Sequence, residues 1–332
     1  MAGAPEASRR LRLSPARRIK AGPLPAFFFW REHVRLDTRQ SSLIQLHIGI
    51  LLLGGTALFS KLIALPALDI TVWRSLFAGL ALLGLFLLTR FDFRLHRSRD
   101  YAIVLGLGVL FAVHWLTYFH AMQVSTVAVG IVALFTFPVI TVFIEPFFHG
   151  EPPRLVDLAG ALAVVAGVYL MVPEFSLNNA TTQGVLWGLL SAFTYALRNV
   201  IQRHRFRHYP GKTAMFYQVL VVLALTAPFL GGGSFELGPG QWALIVLLGI
   251  VFTALPHTLF ANALVHHSAV SVSLINCLQV VYATVLAALV LSELPGSSTI
   301  VGGALIVGAA AFESVRSAKA QSQTTREQEA SS

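Results

Sequence analysis

The stretch PVITVFIEPFFHGEPP, residues 138–153, returns in outline 142 residues later as VVYATVLAALVLSELP, residues 280–295. Glu151 falls on Glu293, Pro153 on Pro295 and Val139 on Val281; carried outward without gaps, the same shift sets Ala121 on Ala263 and Gly160 on Gly302. Each copy is an apolar run of helical length closed by an acid and a proline. A period this long identifies two copies of a multi-helix unit rather than a short structural repeat.

Working outward, a bilayer core of about 30 Å needs about 20 apolar residues in a helix. Runs of that kind occupy Leu43 to Ile63, Ile70 to Thr89, Tyr101 to Met122, Thr126 to Phe148 and Leu155 to Val172. Five more occupy Gly184 to Ile201, Thr213 to Leu230, Trp242 to Asn262, Ala269 to Leu291 and Ile300 to Phe312. The expected fold is therefore an all-α polytopic membrane protein with ten transmembrane helices. Its parts are a basic cytoplasmic tail (residues 1–42), a first repeat (43–173), a second repeat (183–314) and a polar cytoplasmic tail (315–332). Because each five-helix unit has an odd number of spans, the second enters the membrane from the opposite side, an inverted-topology repeat. Such repeats offer two nearly equivalent packings of one scaffold, which is what exposing a central site alternately to each side requires.

Composition supports lipid as the solvent. Apolar residues make up 55% and charged residues 12% of the 332, against about 45–50% and about 25% in soluble domains. The formal charge of +9 does not indicate nucleic acid, because the residues up to Ser42 alone carry nine Lys/Arg against Glu6, Glu32 and Asp37. With the amino terminus inside, the turns bearing Arg90, Arg94, Arg97 and Arg99, and Arg203, Arg205, Arg207 and Lys212, are cytoplasmic. The opposite turns, Pro173 to Gln183 and Gly231 to Gln241, hold no Lys or Arg, so both termini are expected inside a bacterial inner membrane. No signal-peptide pattern precedes the first span. The lone Cys277 permits no intrachain disulfide and no cysteine-based metal motif. The triplet at Asn179 falls in an outside turn and means nothing in a bacterial protein.

Four segments carry a family resemblance: GGTALFSK from Gly54, YFHAMQVSTVAVGIVALFTFP from Tyr118, PVITVFIEPFFHGE from Pro138, and ANALVHHSAVSVSLINCLQVVYATVLAALVLSE from Ala261. Together they resemble the EamA-type family of the drug/metabolite transporter superfamily from about Leu43 to Phe312. Pro138 with Glu151 fits the family's pairing of a proline in the fourth helix with a glutamate at its end. Two departures stand out: Val280 occupies the place of the second copy's proline, and Gly54 with Gly55 replaces a tryptophan and glycine. The resemblance implies a pathway between the halves, lined by the first, third, fourth, sixth, eighth and ninth spans.

Polar and aromatic residues on those spans are the candidate solute contacts. His114, Trp115 and Tyr118 lie on or near one face of the third span, and His120 half a turn beyond. The 142-residue shift sends Trp115 to His257 and His120 to Asn262. In the ninth span Asn276, Gln279 and Tyr282 share a face that cannot look at acyl chains. Two readings stand for each: lining a shared cavity, or hydrogen bonding between helices as packing glue. A charge inside a span costs at least about 2.5–3.5 kcal/mol at the centre, so each is a functional candidate by default. Glu145, Lys61 and Arg74 lie toward span ends, where snorkelling accounts for them. Arg198 is deeper, and with Tyr195 and Asn199 it could meet a carboxylate or phosphate. Gly160, Gly167, Gly302, Gly303 and Gly308 on the fifth and tenth spans read as tight packing within each half, or as a homodimer contact through those two helices.

These features point to a transporter of a small organic metabolite, an exporter or facilitator of amino acids or related compounds by alternating access; the amino-acid guess rests on family analogy alone. Its partners are that solute and membrane lipids. No GxxxxGK[ST] loop is present. An integral-membrane enzyme is the alternative, but the eleven histidines lack the i, i+3 or i, i+4 pairing with acids that ligand clusters need, so no cofactor, metal or catalytic residue is expected. A non-transporting membrane scaffold is the third reading.

Overall fold

The structure, a computed structural model, describes residues 38–144, 147, 155–172, 176–206, 208–263, 269–312 and 315. The expectations for most of the two tails, for Glu145, Glu151 and Arg207, for the His266–His267 pair and for the Asn262 side chain lie outside what is described.

Every regular element among the described residues is helical. The first two are α1 (Thr38–Thr56) and the short α2 (Phe59–Leu62), followed by α3 (Ala67–Thr89) and α4 (Ser98–Val124). Next come α5 (Val127–Leu134), α6 (Phe137–Ile144), α7 (Leu155–Met171), α8 (Ala180–Arg205) and α9 (Gly211–Thr226). The chain continues with α10 (Pro239–Gly249), a π-helical turn (Ile250–Ala254), α11 (Leu255–Ala263), α12 (Ala269–Leu291) and α13 (Ser297–Phe312). Seven helical segments among the described residues are long and apolar enough to cross a membrane, and three shorter apolar helices accompany them. Large apolar side chains such as Leu88, Val165 and Leu289 stand exposed on their outward faces. Continuous apolar exposure of this kind is what a soluble protein avoids and lipid accepts. This is a multi-pass membrane protein.

Proline decides where the helices are interrupted. Pro138 has no N–H to give the Leu134 carbonyl, and its ring crowds that oxygen, so the helix breaks at Phe135–Thr136 into α5 and α6. In α10–α11 the same chemistry acts at Pro256, which cannot serve the Phe252 carbonyl. The preceding turn widens to π geometry, and Thr56 Oγ1 donates to the freed Phe252 oxygen at 2.8 Å. The positions that the 142-residue shift equates with these prolines, Val280 and His114, lie in unbroken helices.

Helix ends are tied by polar contacts into two clusters. At one end Tyr209 Oη accepts from the His96 amide and donates to Asp100 at 2.7 Å, joining the exposed basic turn after α3 to the one after α8. At the other end Gln123 donates to the Ser60 and Leu65 carbonyls, and Gln241 accepts from the Ala64 amide. Asp69 there accepts from the Gly231 amide and the Ser234 hydroxyl. Lys61 was expected to snorkel; instead it donates to the Gln123 and Ser125 carbonyls and pairs with Glu293 at 3.9 Å. Glu293 also accepts from the Val127 amide at 2.9 Å, placing a carboxylate on the amino terminus of α5, whose Thr126 cap accepts from Val129. Asn179 accepts from the Thr181 and Thr182 amides, so the triplet at 179 is a helix cap.

Close backbone approaches explain two sets of glycines. A side chain at Gly54 would press on the Gln279 carbonyl and the Tyr282 Cβ at 3.1 Å, so the Gly54–Gly55 departure lets α1 lie against α12. Gly167 and Gly302 meet each other, a Cβ on either running into the other's carbonyl oxygen. Helices α7 and α13 therefore use these glycines to lie against each other, and Gly303 faces Val132. Of the five glycines offered for a homodimer contact, Gly167, Gly302 and Gly303 pack inside the molecule, and Gly308 alone meets nothing within 4 Å.

Candidate solute-binding site

The interruptions converge on one cavity in the middle of the helix bundle. Its walls come from α1 (Leu53, Thr56), α4 (Phe111, His114, Trp115, Tyr118), α5–α6 (Leu134, Phe135, Phe137), α8 (Tyr195), α11 (His257) and α12 (Asn276, Gln279), with Arg74 entering from α3. All six expected spans contribute, and the second span adds the charge. The space open to water-sized groups is about 60 Å³, room for a few waters or one small polar group rather than a whole drug-sized molecule.

Four pairs of wall residues stand in a simple relation. The shift of 142 residues carries Leu53 to Tyr195, Trp115 to His257, Leu134 to Asn276 and Phe137 to Gln279, and all eight line the cavity. One member of each pair is apolar or indole; the other offers a hydroxyl, an imidazole or an amide.

His114 answers both readings given for it. The Ser191 hydroxyl donates to the His114 carbonyl at 3.0 Å, which leaves Nδ1 to donate to Ser191 Oγ at 2.7 Å and Nε2 as an acceptor. The ring thus stitches α4 to α8 and still faces the cavity, stacked on Tyr195 with centroids 4.6 Å apart. Trp115, Tyr118, Tyr195, His257, Asn276 and Gln279 also line the cavity.

Four candidates are not brought there. His120 turns outward against the exposed Trp187, ring centroids 5.2 Å apart. Tyr282 shares a 3.4 Å hydrogen bond with His47 on α1. Arg198 is buried beside the cavity but already engaged: Nε donates to Gln218 at 2.8 Å, Nη1 to Asn199 at 2.8 Å, and its face covers the Phe111 ring at 4.6 Å. Asn199 is the acceptor in that arrangement and does not reach the cavity.

Arg74 is the residue that sequence reasoning misplaced. Assigned to the outer surface, it is 2% exposed and lies with its guanidinium 3.8 Å from the centre of the Trp115 ring and 4.9 Å from that of Phe119. Nη2 donates to Thr253 Oγ1 at 3.0 Å, and Thr253 donates in turn to the Leu248 carbonyl within the π turn. Two signals pointed here: an arginine two turns into an apolar span, and a proline at 256 that had to distort the helix opposite it. Among the described residues no group of three metal-ligating side chains comes together.

Comparison with known proteins agrees with this architecture. The chain is 25% identical to an uncharacterized transporter, YxxF, of Bacillus subtilis (strain 168), over 75% of this chain and 81% of that protein. It is 29% identical to the pseudopaline exporter CntI of Pseudomonas aeruginosa, over 73% and 84%, and 24% identical to an uncharacterized transporter of Archaeoglobus fulgidus, over 78% and 91%. One crystal structure shares the fold with a TM-score of 0.58 at 21% identity, covering 86% of this chain and 99% of that one. The model of the EamA-like transporter family matches twice in succession, over residues 24–172 and 182–314. With nearly the whole described bundle inside those two matches, the chain belongs to the EamA-like transporter family, and the names of its relatives support small-molecule transport.

Proposed function

We propose that the protein moves a small organic solute out of a bacterial cell by alternating access, as ten spans in two inverted repeats, residues 43–173 and 183–314, with both termini in the cytoplasm. The observation that carries this reading is the cavity itself: four positions of one repeat and their counterparts 142 residues on line one shared space of mixed polar and apolar walls. Two homologous halves around a central site are what alternate exposure requires. The double match of the family model favours the same division of the chain. The two polar clusters favour the topology, since the exposed Arg90, Arg97, Arg203 and Arg205 gather at one end and the positive-inside rule makes that end cytoplasmic.

Outward movement is favoured by the exporter among the relatives. Amino acids or related compounds suit walls that offer amides, imidazoles and aromatic faces together. His114, Trp115, Tyr118, Tyr195, His257, Asn276 and Gln279 are the solute contacts in this reading. Counterflow in proteoliposomes over amino acids, nucleosides, vitamins and small drugs tests it. At least one class should exchange, and failure of the whole panel would favour a scaffold instead. Reporter fusions after Arg97 and after Arg205 should both report the cytoplasm.

A further inference from the structure

The cavity holds a cation that pairs with no carboxylate among the described residues. Arg74 keeps Nε and Nη1 without a hydrogen-bond partner among the described residues, and the Tyr118 hydroxyl in the same cavity is buried and equally unpartnered. Among the described residues no Asp or Glu lines the space. An unpaired charge in a membrane interior is costly, and stacking on Trp115 and Phe119 together with one bond to Thr253 offsets only part of that cost. Buried donors left without partners on residues that line a cavity are the groups a ligand's acceptor would satisfy.

Resting on the transporter reading above, the geometry points to Arg74 and Tyr118 as the subsite that binds the carboxylate of the solute, which makes carboxylate-bearing small molecules the substrate class. Three features select this chemistry. The guanidinium is held from behind by Trp115 and Thr253, so its remaining donors are pre-oriented and little is lost in ordering them. Arg74 supplies the contacting cation, and Arg198, buried beside the cavity against the uncharged Gln218, Asn199 and Phe111, adds to the positive field that favours an anionic group there. The space of about 60 Å³ takes a carboxylate-sized group. Wall residues Asn276, Gln279 and His257 then face whatever the carboxylate is attached to. Arg198 is excluded from this role because Gln218, Asn199 and Phe111 already occupy it.

The test uses the full chain in detergent and compares acids with their own amides: acetate, benzoate, L-leucine and L-phenylalanine against acetamide, benzamide, L-leucinamide and L-phenylalaninamide. Binding to the folded state raises Tm through a stabilisation that grows as the logarithm of one plus the ratio of ligand concentration to Kd, and fitting that rise against ligand concentration gives an apparent affinity. At least one acid should raise Tm where its amide does not, and Arg74→Gln should weaken that acid by about tenfold to a hundredfold while leaving amides unaffected. If Arg74→Gln does not fold, Tyr118→Phe takes its place, with an expected loss of about three- to tenfold for the acid alone. Equal shifts for acid and amide, silence of every acid, or a response surviving in the variant would each overturn the assignment. The two readings fail separately. Counterflow of a non-carboxylate solute with silent acids removes the Arg74 subsite and keeps the transporter; acids that bind while no solute exchanges do the reverse.

Discussion

The cavity has two walls that descend from the same positions and differ in chemistry. Leu53, Trp115, Leu134 and Phe137 form one; Tyr195, His257, Asn276 and Gln279 form the other. The scaffold places all eight around one space, and at these four paired positions the first-repeat member is apolar or indole while the second-repeat member can hydrogen-bond; the first repeat's own polar lining, Thr56, Arg74, His114 and Tyr118, lies at other positions. The helices that carry them differ in the same way. Pro138 splits α5 from α6, while Val280, its counterpart, leaves α12 continuous over 23 residues. The lesson is that equivalent positions in the two repeats come to one space in pairs, while the residues at them differ enough to make the space chemically asymmetric.

The largest test of that contrast is to give α12 the proline it lacks. Val280→Pro removes an interior N–H and crowds the Asn276 carbonyl, at a cost of about 3 kcal/mol. Detergent-solubilised yield, Tm and transport should all fall, and an unchanged Tm would show that the continuity of α12 has no bearing on the fold. Making the polar wall resemble its counterpart, through Asn276→Leu with Gln279→Phe, should lower counterflow about tenfold or more, with Tm within a few degrees of the parent. Retained transport would mean the amides only pack.

A smaller effect is expected where the second repeat touches the first. Thr126→Ala removes the side-chain cap of α5 beside Glu293, at a cost of about 1 kcal/mol, seen as a drop of a few degrees in Tm. No drop would mean the Glu293 carboxylate alone suffices to satisfy that helix end. The smallest expectation concerns His120, which faces Trp187 outside both walls; His120→Phe should leave counterflow within about twofold. A tenfold loss would return it to the site.

Much of this site was legible before any coordinates. His114, Trp115, Tyr118, Tyr195, His257, Asn276 and Gln279 were named from polarity, spacing and the repeat, and all seven line the cavity. Arg74 was misread because its depth was judged by distance from the span end, while what settled its place was the aromatic pair Trp115 and Phe119 on a neighbouring helix. Arg198 and Asn199 were misread for the complementary reason. Their polarity was visible, but their partner Gln218, one helix on, was not foreseeable as such. Tyr282 and His120 share helices with site residues yet rotate onto other neighbours.

By itself the sequence determined the solvent, the placement of the helices and the existence of two related halves, because apolar run length, arginine in alternate turns and the 142-residue recurrence are properties of the chain read in order. The tertiary structure alone decided which polar groups were already satisfied. Hydrogen bonds between distant helices, such as Arg74 to Thr253, His114 to Ser191 and Arg198 to Gln218, depend on rotation and packing that no single helix encodes. An arginine inside lipid must find partners somewhere, and only packing shows which one in this bundle was left with donors to spare.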